Sequence, residues 1–503
     1  MREETTRARL LIAVVFFTAL AGIFYELILG TVSTLLLGDS VREWSLTIGV
    51  FLFAMGIGSW LSGRIEHDLL KALLRVQLGL AVVGALSPLA LFIVFAWFEP
   101  ATRGVMIGVL LMLGTGIGVE IPLLTRLLKD FGSFQQALAH ALAVDYLGAL
   151  VASLAFPLVF YPMLGLVRTA ILTGGINLLA VGLLVFAFEH QLRNKLRLWA
   201  VVGVLGLAGG ALFAKATVLS SFAQQKLYGG EIVWAEVSKY QDIALVRHPR
   251  GDDFALFLNR HIQFSSRDEA RYHQPLVHVA LGAGAPPTTV LVLGGGDGLV
   301  VREVLRWESV TAITLVDLDP AMLRLARHDP RLVALNEGSL SDARVTVIEG
   351  DAARWLMSHS QKFDRVIIDL PDPSTPGLAR LYSEEFYRSV ADHLDDGGLM
   401  VTQATSPYYT RRSFWCIERS VAAAGLVTLP YHRWVPSFGE WGFVLAGKTP
   451  PRPVLPEIDA PHLEPWDALF QFPPDMARSE EPVNRMLDPV LSSIYGEEVR
   501  LER

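Results

Sequence analysis

Seven apolar stretches dominate the first 216 residues, at roughly 10 to 37, 45 to 63, 76 to 98, 104 to 125, 137 to 163, 169 to 188 and 198 to 214. Stretches of this length and apolarity are those of helices that cross a bilayer. The first is too long for the core of a signal peptide, and no small-residue cleavage site with a polar mature start follows it. At 503 residues, 52% hydrophobic and 18% charged, the chain is too apolar for a soluble protein and too charged to be membrane throughout. The apolar excess lies before about residue 216, so two regimes are expected. A net charge of -7 argues against nucleic acid as a partner. The single cysteine, Cys416, excludes an intrachain disulfide framework and reads as a small buried residue.

Loop charge orients the helices. Arg2, Arg7, Arg9, Arg64, Lys71, Arg75, Arg126, Lys129, Arg193, Lys195 and Arg197 fall on one side, against Arg42, Arg103 and Arg168 on the other. That bias puts the N-terminus inside, as in a multi-pass protein of the plasma (inner) membrane. With seven crossings the second half would face outward. The glycine-rich stretch Leu198 to Ala214 decides this, since it either crosses, re-enters or lies in the interface. Gly104 with Gly108 and Gly114 with Gly118 have the four-residue spacing of close helix contacts in lipid. Glu26, Glu120 and Asp145 sit inside apolar runs, with His140 near the start of the fifth. They read either as hydrogen-bonded glue between helices or as a site that admits or senses an organic cation.

Beyond residue 216 the pattern changes. EIVWAEV, DIALVRH, FALFLN and HIQF alternate like strands of a small antiparallel sheet, and DEARYHQPLVHVALG reads as a helix. Then Val290 to Asp319 reads strand, glycine turn, helix, strand. Gly294, Gly295, Gly296 and Gly298 flank Asp297, a carboxylate where a phosphate-binding loop would not want one. Leu299 and Arg302 stand where a third dinucleotide glycine would be. Further strands end near Asp351 and at Asp369 with Asp372. GGLMVTQATSP and a closing hairpin complete a doubly wound sheet whose ligand crevice lies at the carboxyl ends of its strands. Acids at four strand ends (Asp297, Asp317 with Asp319, Asp351, Asp369 with Asp372) make a crevice rich in negative charge and poor in lysine, suited to a cation. His261, His278 and His432 lack metal-ligand spacing, so no metal site is expected. Trp355, Trp415 and Trp441 read as packing residues, the last near the crevice.

These motifs, in order KYQDIALV, IQFSSRDEARYHQ, VLVLGGGDGLVVREVL, VDLD, GDAARW, DLPDP with LARLYSEEFY, and VPSFGEWGF, resemble the spermidine synthase family of polyamine aminopropyltransferases over about residues 227 to 447. YELILG and GVFLFAMGIGSWLS resemble the branch of that family fused to an N-terminal membrane domain. The resemblance implies a transmembrane domain of about seven helices over 1–216 and a small β-sheet over 217–270. A Rossmann-like, methyltransferase-type α/β domain over 271–448 would follow. From Thr449 the chain is proline-rich and then weakly helical, and 449–503 reads as a C-terminal tail packed on the domain or the membrane.

It also implies a reaction. The donor would be decarboxylated S-adenosylmethionine, a co-substrate rather than a bound cofactor, and the acceptor an amine such as putrescine. Gln241, Gly294, Gly296, Asp297, Gly298, Asp317 and Asp351 would hold the donor, Asp297 taking its ammonium, Asp317 the ribose and Asp351 the adenine amine. Gln263, Tyr272, His273, Asp372, Gln403, Phe438 and Trp441 would line the amine side. Asp369 would take a proton from the acceptor amine, whose pKa is about 10 by analogy with lysine, and Tyr272 would help to orient the nitrogen. The resemblance also allows a homodimer. The sequence departs from the family at Asp317, where glutamate is usual, at Leu299, at Leu258 to Arg260 and at Phe438, where a tyrosine is usual. Two other readings use the same fold: a methyltransferase, disfavoured by Asp297 and the Asp369/Asp372 pair, and a non-catalytic polyamine sensor or transporter.

Overall fold

The computed structural model describes residues 2–37, 40–131, 134–249 and 251–501. Two compact units divide the chain, Met1–Gly229 and Gly230–Arg503. The first contains α1 (Arg2–Leu37), α2 (Ser40–Ser62), α3 (Leu69–Phe98), α4 (Thr102–Leu128), α5 (Phe134–Ala155), α6 (Tyr161–Ala187) and α7 (Lys195–Tyr228). They form 5 helical runs long and apolar enough to cross a membrane, because α3 with α4 and α5 with α6 follow each other almost without a break.

Boundaries differ from expectation where proline intervenes. The fifth helix was expected to reach 163, but α5 gives way to a wide turn at Phe156–Phe160 carrying Pro157, which has no N–H to donate. The Leu198 to Ala214 stretch lies within one unbroken helix that continues to Tyr228, with no break for a re-entrant turn. Of the glycine pairs, Gly114 and Gly118 face α2, where a Cβ would lie 2.8 Å from the Phe51 carbonyl oxygen and 2.1 Å from that of Met55. Gly104 and Gly108 face no neighbour, so the expected close contact is made by one pair and not the other.

The second unit begins with an antiparallel sheet of β1 (Glu231–Val237), β2 (Asp242–Arg247), β3 (Phe254–Leu258) and β4 (His261–Ser265). There follow α8 (Ala270–Leu281), β5 (Thr289–Gly294), α9 (Leu299–Leu305), β6 (Ala312–Asp317), α10 (Pro320–His328), α11 (Pro330–Asn336), β7 (Val345–Glu349), α12 (Ala352–Ser358), β8 (Phe363–Asp369), α13 (Pro376–Ala379), α14 (Glu384–Asp392), β9 (Leu394–Gln403), α15 (Arg411–Ala423), β10 (Val427–Val435), β11 (Gly439–Gly447) and α16 (Val490–Leu501). The second sheet is 7-stranded, in the order β10-β11-β9-β8-β5-β6-β7. Strands β5 to β9 run parallel, and β11 inserts antiparallel between β9 and β10.

Both faces of this sheet are covered, which is why its strands read as continuous apolar runs. Val290 and Val292 join Ile313, Leu315, Ile367 and Val401 on one face. Leu291 and Leu293 join Val316, Val366, Ile368 and Met400 on the other, where Cys416 is also buried. The chain leaves β5 in one direction toward β6 and β7 and later returns on its other side at β8. The crevice therefore opens at the carboxyl ends of β5 and β8, where the strand order reverses.

The C-terminal segment is built into this unit. Leu463 and Leu469 enter one core cluster, Leu491 and Ile494 the other. Asn484 is fully buried: its amide donates to the Ala379 carbonyl (2.7 Å) and accepts from the Leu491 N–H (3.2 Å). Glu498 accepts from the N–H groups of Arg412 (2.7 Å) and Ser413 (3.0 Å), which satisfies the first turn of α15. Asn484→Ala leaves two buried backbone groups unpaired and is expected to lower stability by about 2–4 kcal/mol. Chemical denaturation checks this, and an unchanged midpoint would mean that the tail is not part of the cooperative core.

Candidate active site

The turn after β5 requires glycine for a reason of space. Gly294 has φ 82, and a Cβ there would lie 2.0 Å from the Asp369 carbonyl oxygen. The Gly295 N–H donates to that same oxygen at 3.0 Å, which closes the ends of β5 and β8 on each other. At Gly296 a Cβ would lie 2.6 Å from the Asp317 Oδ2, to which the Gly296 N–H donates at 3.0 Å. Gly298 leads into α9, and its carbonyl accepts from the Ser339 hydroxyl at 2.7 Å.

Asp297 therefore stands at the centre of the crevice. Its Oδ1 accepts from the Leu299 N–H at 2.9 Å, and its carbonyl from the Asn336 amide at 2.8 Å. Burial pushes its carboxyl up to about 6, against the pull of His273 and with a further push from Asp369. Asp317 accepts from the N–H groups of Asp319 (2.9 Å) and Gly296 (3.0 Å), yet burial still raises it to about 6. Asp319 faces away: it caps α10 through the Ala321 N–H (3.0 Å) and accepts from Ser238 (2.6 Å) in the β1–β2 turn.

Across the crevice, α8 supplies Tyr272 and His273. The Tyr272 hydroxyl donates to Asp369 Oδ1 at 2.5 Å. Burial raises Asp369, while His273 and this hydroxyl pull it down. His273 is 1% exposed, and its Nδ1 lies 2.8 Å from Glu269 Oε2. Burial opposes its charge, but Glu269, Asp297 and Asp369 together raise its pKa. Glu269 is in turn gripped by both terminal nitrogens of Arg302, each at 2.9 Å. The crevice is thus poor in lysine as expected, but it holds one titratable cation. Neither Glu269 nor Arg302 was read as part of the site, although Arg302 occupies the place of a third glycine; their pairing spans 33 residues. His278 is buried on Glu303 (2.8 Å), and His432 on Glu440 (2.6 Å), both away from Asp297 and Asp369.

Beside Asp369, the loop carrying Asp372 is held from behind. The Gln403 amide donates to the Leu370 carbonyl at 2.7 Å, and the Tyr382 hydroxyl donates to the Leu370 (2.9 Å) and Pro371 (3.0 Å) carbonyls. Gln403 is buried behind the loop, where its bonds go to protein. Asp372 Oδ2 accepts from the Tyr495 hydroxyl of α16 at 2.8 Å, while its Oδ1 is buried without a partner. Burial raises Asp372 to about 6. Asp372 borders a pocket of ≈ 290 Å³ walled by Phe438, Trp441, Tyr409 and Tyr495, with Trp441 Nε1 also unpartnered. Phe438 (5.9 Å) and Trp441 (6.4 Å) meet the Tyr272 ring edge to face. Ser437 anchors their loop to Asp268 through its N–H (2.7 Å) and hydroxyl (2.8 Å).

Three expected residues make their hydrogen bonds to other groups. Gln241 lies in the β1–β2 turn, its N–H donating to Ser238 Oγ at 3.0 Å. Gln263, on β4, donates to the His261 carbonyl at 3.1 Å. Asp351 caps α12 through the Arg354 N–H (3.0 Å) and pairs with Arg380 at 2.6 Å. Tyr495 was missed: it lies 123 residues from its partner, in a segment read only as tail.

Comparison with known proteins decides the class. Residues 269–453 match the spermine/spermidine synthase domain. Polyamine aminopropyltransferase 2 of Ralstonia nicotianae is 42% identical, covering 97% of this chain and 98% of the relative. The chain belongs to the polyamine aminopropyltransferase family. The polyamine aminopropyltransferase of Leptospira interrogans is 41% identical, over 95% of this chain and 96% of the relative. A crystal structure of spermidine synthase in complex with the transition state analogue AdoDATO aligns with 54% of this chain and 88% of that one, at 25% identity and a TM-score of 0.41. In this aminopropyltransferase the crevice acids carry a stability cost. A carboxyl whose folded value is about 6 against an ordinary 3.8 loses stability as pH rises between them, and the full cost stands above 6. Asp297→Asn, which keeps an oxygen for the Leu299 N–H, should therefore stabilise the free enzyme by about 1–3 kcal/mol at pH 7.5. Thermal unfolding should show that gain shrinking as pH falls toward 4, and a constant gain would point to another origin.

Proposed function

We propose that the enzyme transfers the aminopropyl group of decarboxylated S-adenosylmethionine to a small amine, from a protein anchored in a membrane by its first unit. The observation that carries this reading is the Tyr272 hydroxyl donating to Asp369, with Asp372 close enough to act on that hydroxyl and Asp297 on the adjacent His273, and with Asp372 Oδ1 unpaired at a pocket. Such an arrangement offers acceptors to ammonium groups at two places. Asp297 would hold the ammonium of the donor, a place where a donor carboxylate would be repelled. Asp317 keeps lone pairs beyond its two backbone bonds for ribose hydroxyls.

On the acceptor side, Asp369 takes the proton that the protonated amine must lose. A raised carboxyl is a better base than an ordinary one; burial raises Asp369, and His273 and Tyr272 pull against that rise. The freed nitrogen lone pair attacks the propyl carbon beside sulfur; the carbon–sulfur bond breaks, its electron pair stays on sulfur, and methylthioadenosine leaves. The sulfonium charge is neutralised as a secondary ammonium forms. Asp372, held by Tyr495, fits the distal ammonium of a diamine such as putrescine. Phe438 and Trp441 suit its methylenes. Positioning supplies much of the rate.

Asp369→Asn should lower kcat by about 10²–10⁴-fold, read as methylthioadenosine release. Full turnover would contradict the assignment. Tyr495→Phe should raise the KM for a diamine about 3–10-fold, the worth of one hydrogen bond, and leave the donor KM unchanged. A change in the donor KM alone would place Tyr495 elsewhere in the reaction. Anchoring is supported by apolar side chains exposed on the first unit, among them Phe53, Trp60, Trp97, Met112, Leu158, Phe186 and Leu207. Alkaline carbonate should leave the full chain in the membrane pellet, and release into the supernatant would contradict anchoring.

A further inference from the structure

Within the first unit, four polar side chains from four helices meet inside the bundle. Gln77 of α3 donates to Glu120 of α4 at 2.8 Å. Asn177 of α6 donates to the Tyr25 hydroxyl of α1 at 2.9 Å, and that hydroxyl donates to the Leu80 carbonyl at 3.1 Å. Leu80 follows Gln77 by three residues, so the two pairs lie about one helical turn, ~5 Å, apart along α3. Gly84 makes room for the arrangement, since a Cβ there would lie 2.2 Å from the Tyr25 ring. Gln77 is 0%, Asn177 1% and Glu120 2% exposed. Asp145 of α5 is near enough to act electrostatically on Glu120.

Two buried oxygens in this cluster remain open. Gln77 Oε1 and Asn177 Oδ1 are buried with no hydrogen-bond partner. Both are acceptors, and Glu120 between the helices is a third. The Tyr25 hydroxyl and one N–H of each amide are already spent on protein. No lysine or arginine takes part in these bonds. Two unpaired amide oxygens beside a carboxyl in a low-dielectric interior are stabilised by a group that brings positive charge and N–H donors. A primary ammonium carries three N–H donors, the number of acceptors present.

We propose that this cluster is a second amine site, in which Gln77, Glu120 and Asn177 bind a protonated primary amine inside the helical unit. It is separate from the crevice and does not depend on how the crevice works. The glue between helices and the cation site thus share residues: the Gln77–Glu120 and Asn177–Tyr25 bonds hold the helices, and the unpaired oxygens recognise the ligand.

Equilibrium dialysis of the full chain in lipid nanodiscs against radiolabelled 1,4-diaminobutane tests this. Two saturable sites per chain are expected. Glu120→Gln and, separately, Gln77→Met should weaken one of them at least tenfold while methylthioadenosine release stays within twofold. Asp372→Asn should weaken the other and leave this one intact, so failure of the crevice assignment shows separately. Should Glu120→Gln not fold, Gln77→Met and Asn177→Leu, checked by gel filtration and thermal unfolding, carry the same test. A single site in the parent protein, or two sites that survive Gln77→Met and Asn177→Leu, would overturn the proposal. Binding of labelled sodium that is lost in Glu120→Gln while diamine binding persists would also overturn it, by showing an alkali-cation site.

Discussion

The contact between the ends of β5 and β8 is the constraint on which the site depends. Gly295 donates to the Asp369 carbonyl, and Gly294 permits an approach that any side chain would block. This closure brings Asp297 of the glycine turn next to Asp369, 72 residues later, at the point where the sheet reverses its order. Three consequences follow from that juxtaposition. Asp369 raises the demand of Asp297 for a proton, the charged form of the His273 imidazole is favoured beside them, and a positively charged ligand finds its acceptors in place.

The imidazole has its own support. His273 is held by Glu269, and Glu269 by the two-pronged grip of Arg302, so a buried ion triad fixes the ring from the side away from the crevice acids. Such a buried charge network is weak evidence for stability, and its worth lies in orientation. The aromatic wall acts similarly on Tyr272, whose hydroxyl is aimed at Asp369 while Phe438, Trp441 and Phe443 surround its ring.

Much of this was legible in the sequence, for identifiable reasons. The strands of the doubly wound sheet read correctly because both faces are buried, so each strand is a short apolar run ending in a turn signal. Asp297 stood out because an acid inside a glycine turn conflicts with phosphate binding. Tyr495 and Ser437 were not legible, because their partners are distant in sequence and no local periodicity marks them; Glu269 stands four residues before His273, a helical spacing that could have found it. The tail offered prolines and scattered apolar residues without a period, yet Leu463, Leu469, Leu491 and Ile494 are core. In the helical unit, length and apolarity were plain, but which glycine pair meets a neighbour was not, since the same spacing occurs on contacting and open faces.

The central claim is that crevice carboxylates select a donor that lacks a carboxylate of its own. Titration calorimetry of the full chain with decarboxylated S-adenosylmethionine and with S-adenosylmethionine, repeated between pH 8 and pH 5, tests it most directly. The decarboxylated donor should bind at least 100-fold more tightly at pH 8, and its lead should shrink as pH falls through about 6, where Asp297 takes up its proton. Equal affinities at pH 8, or a preference independent of pH, would contradict the account.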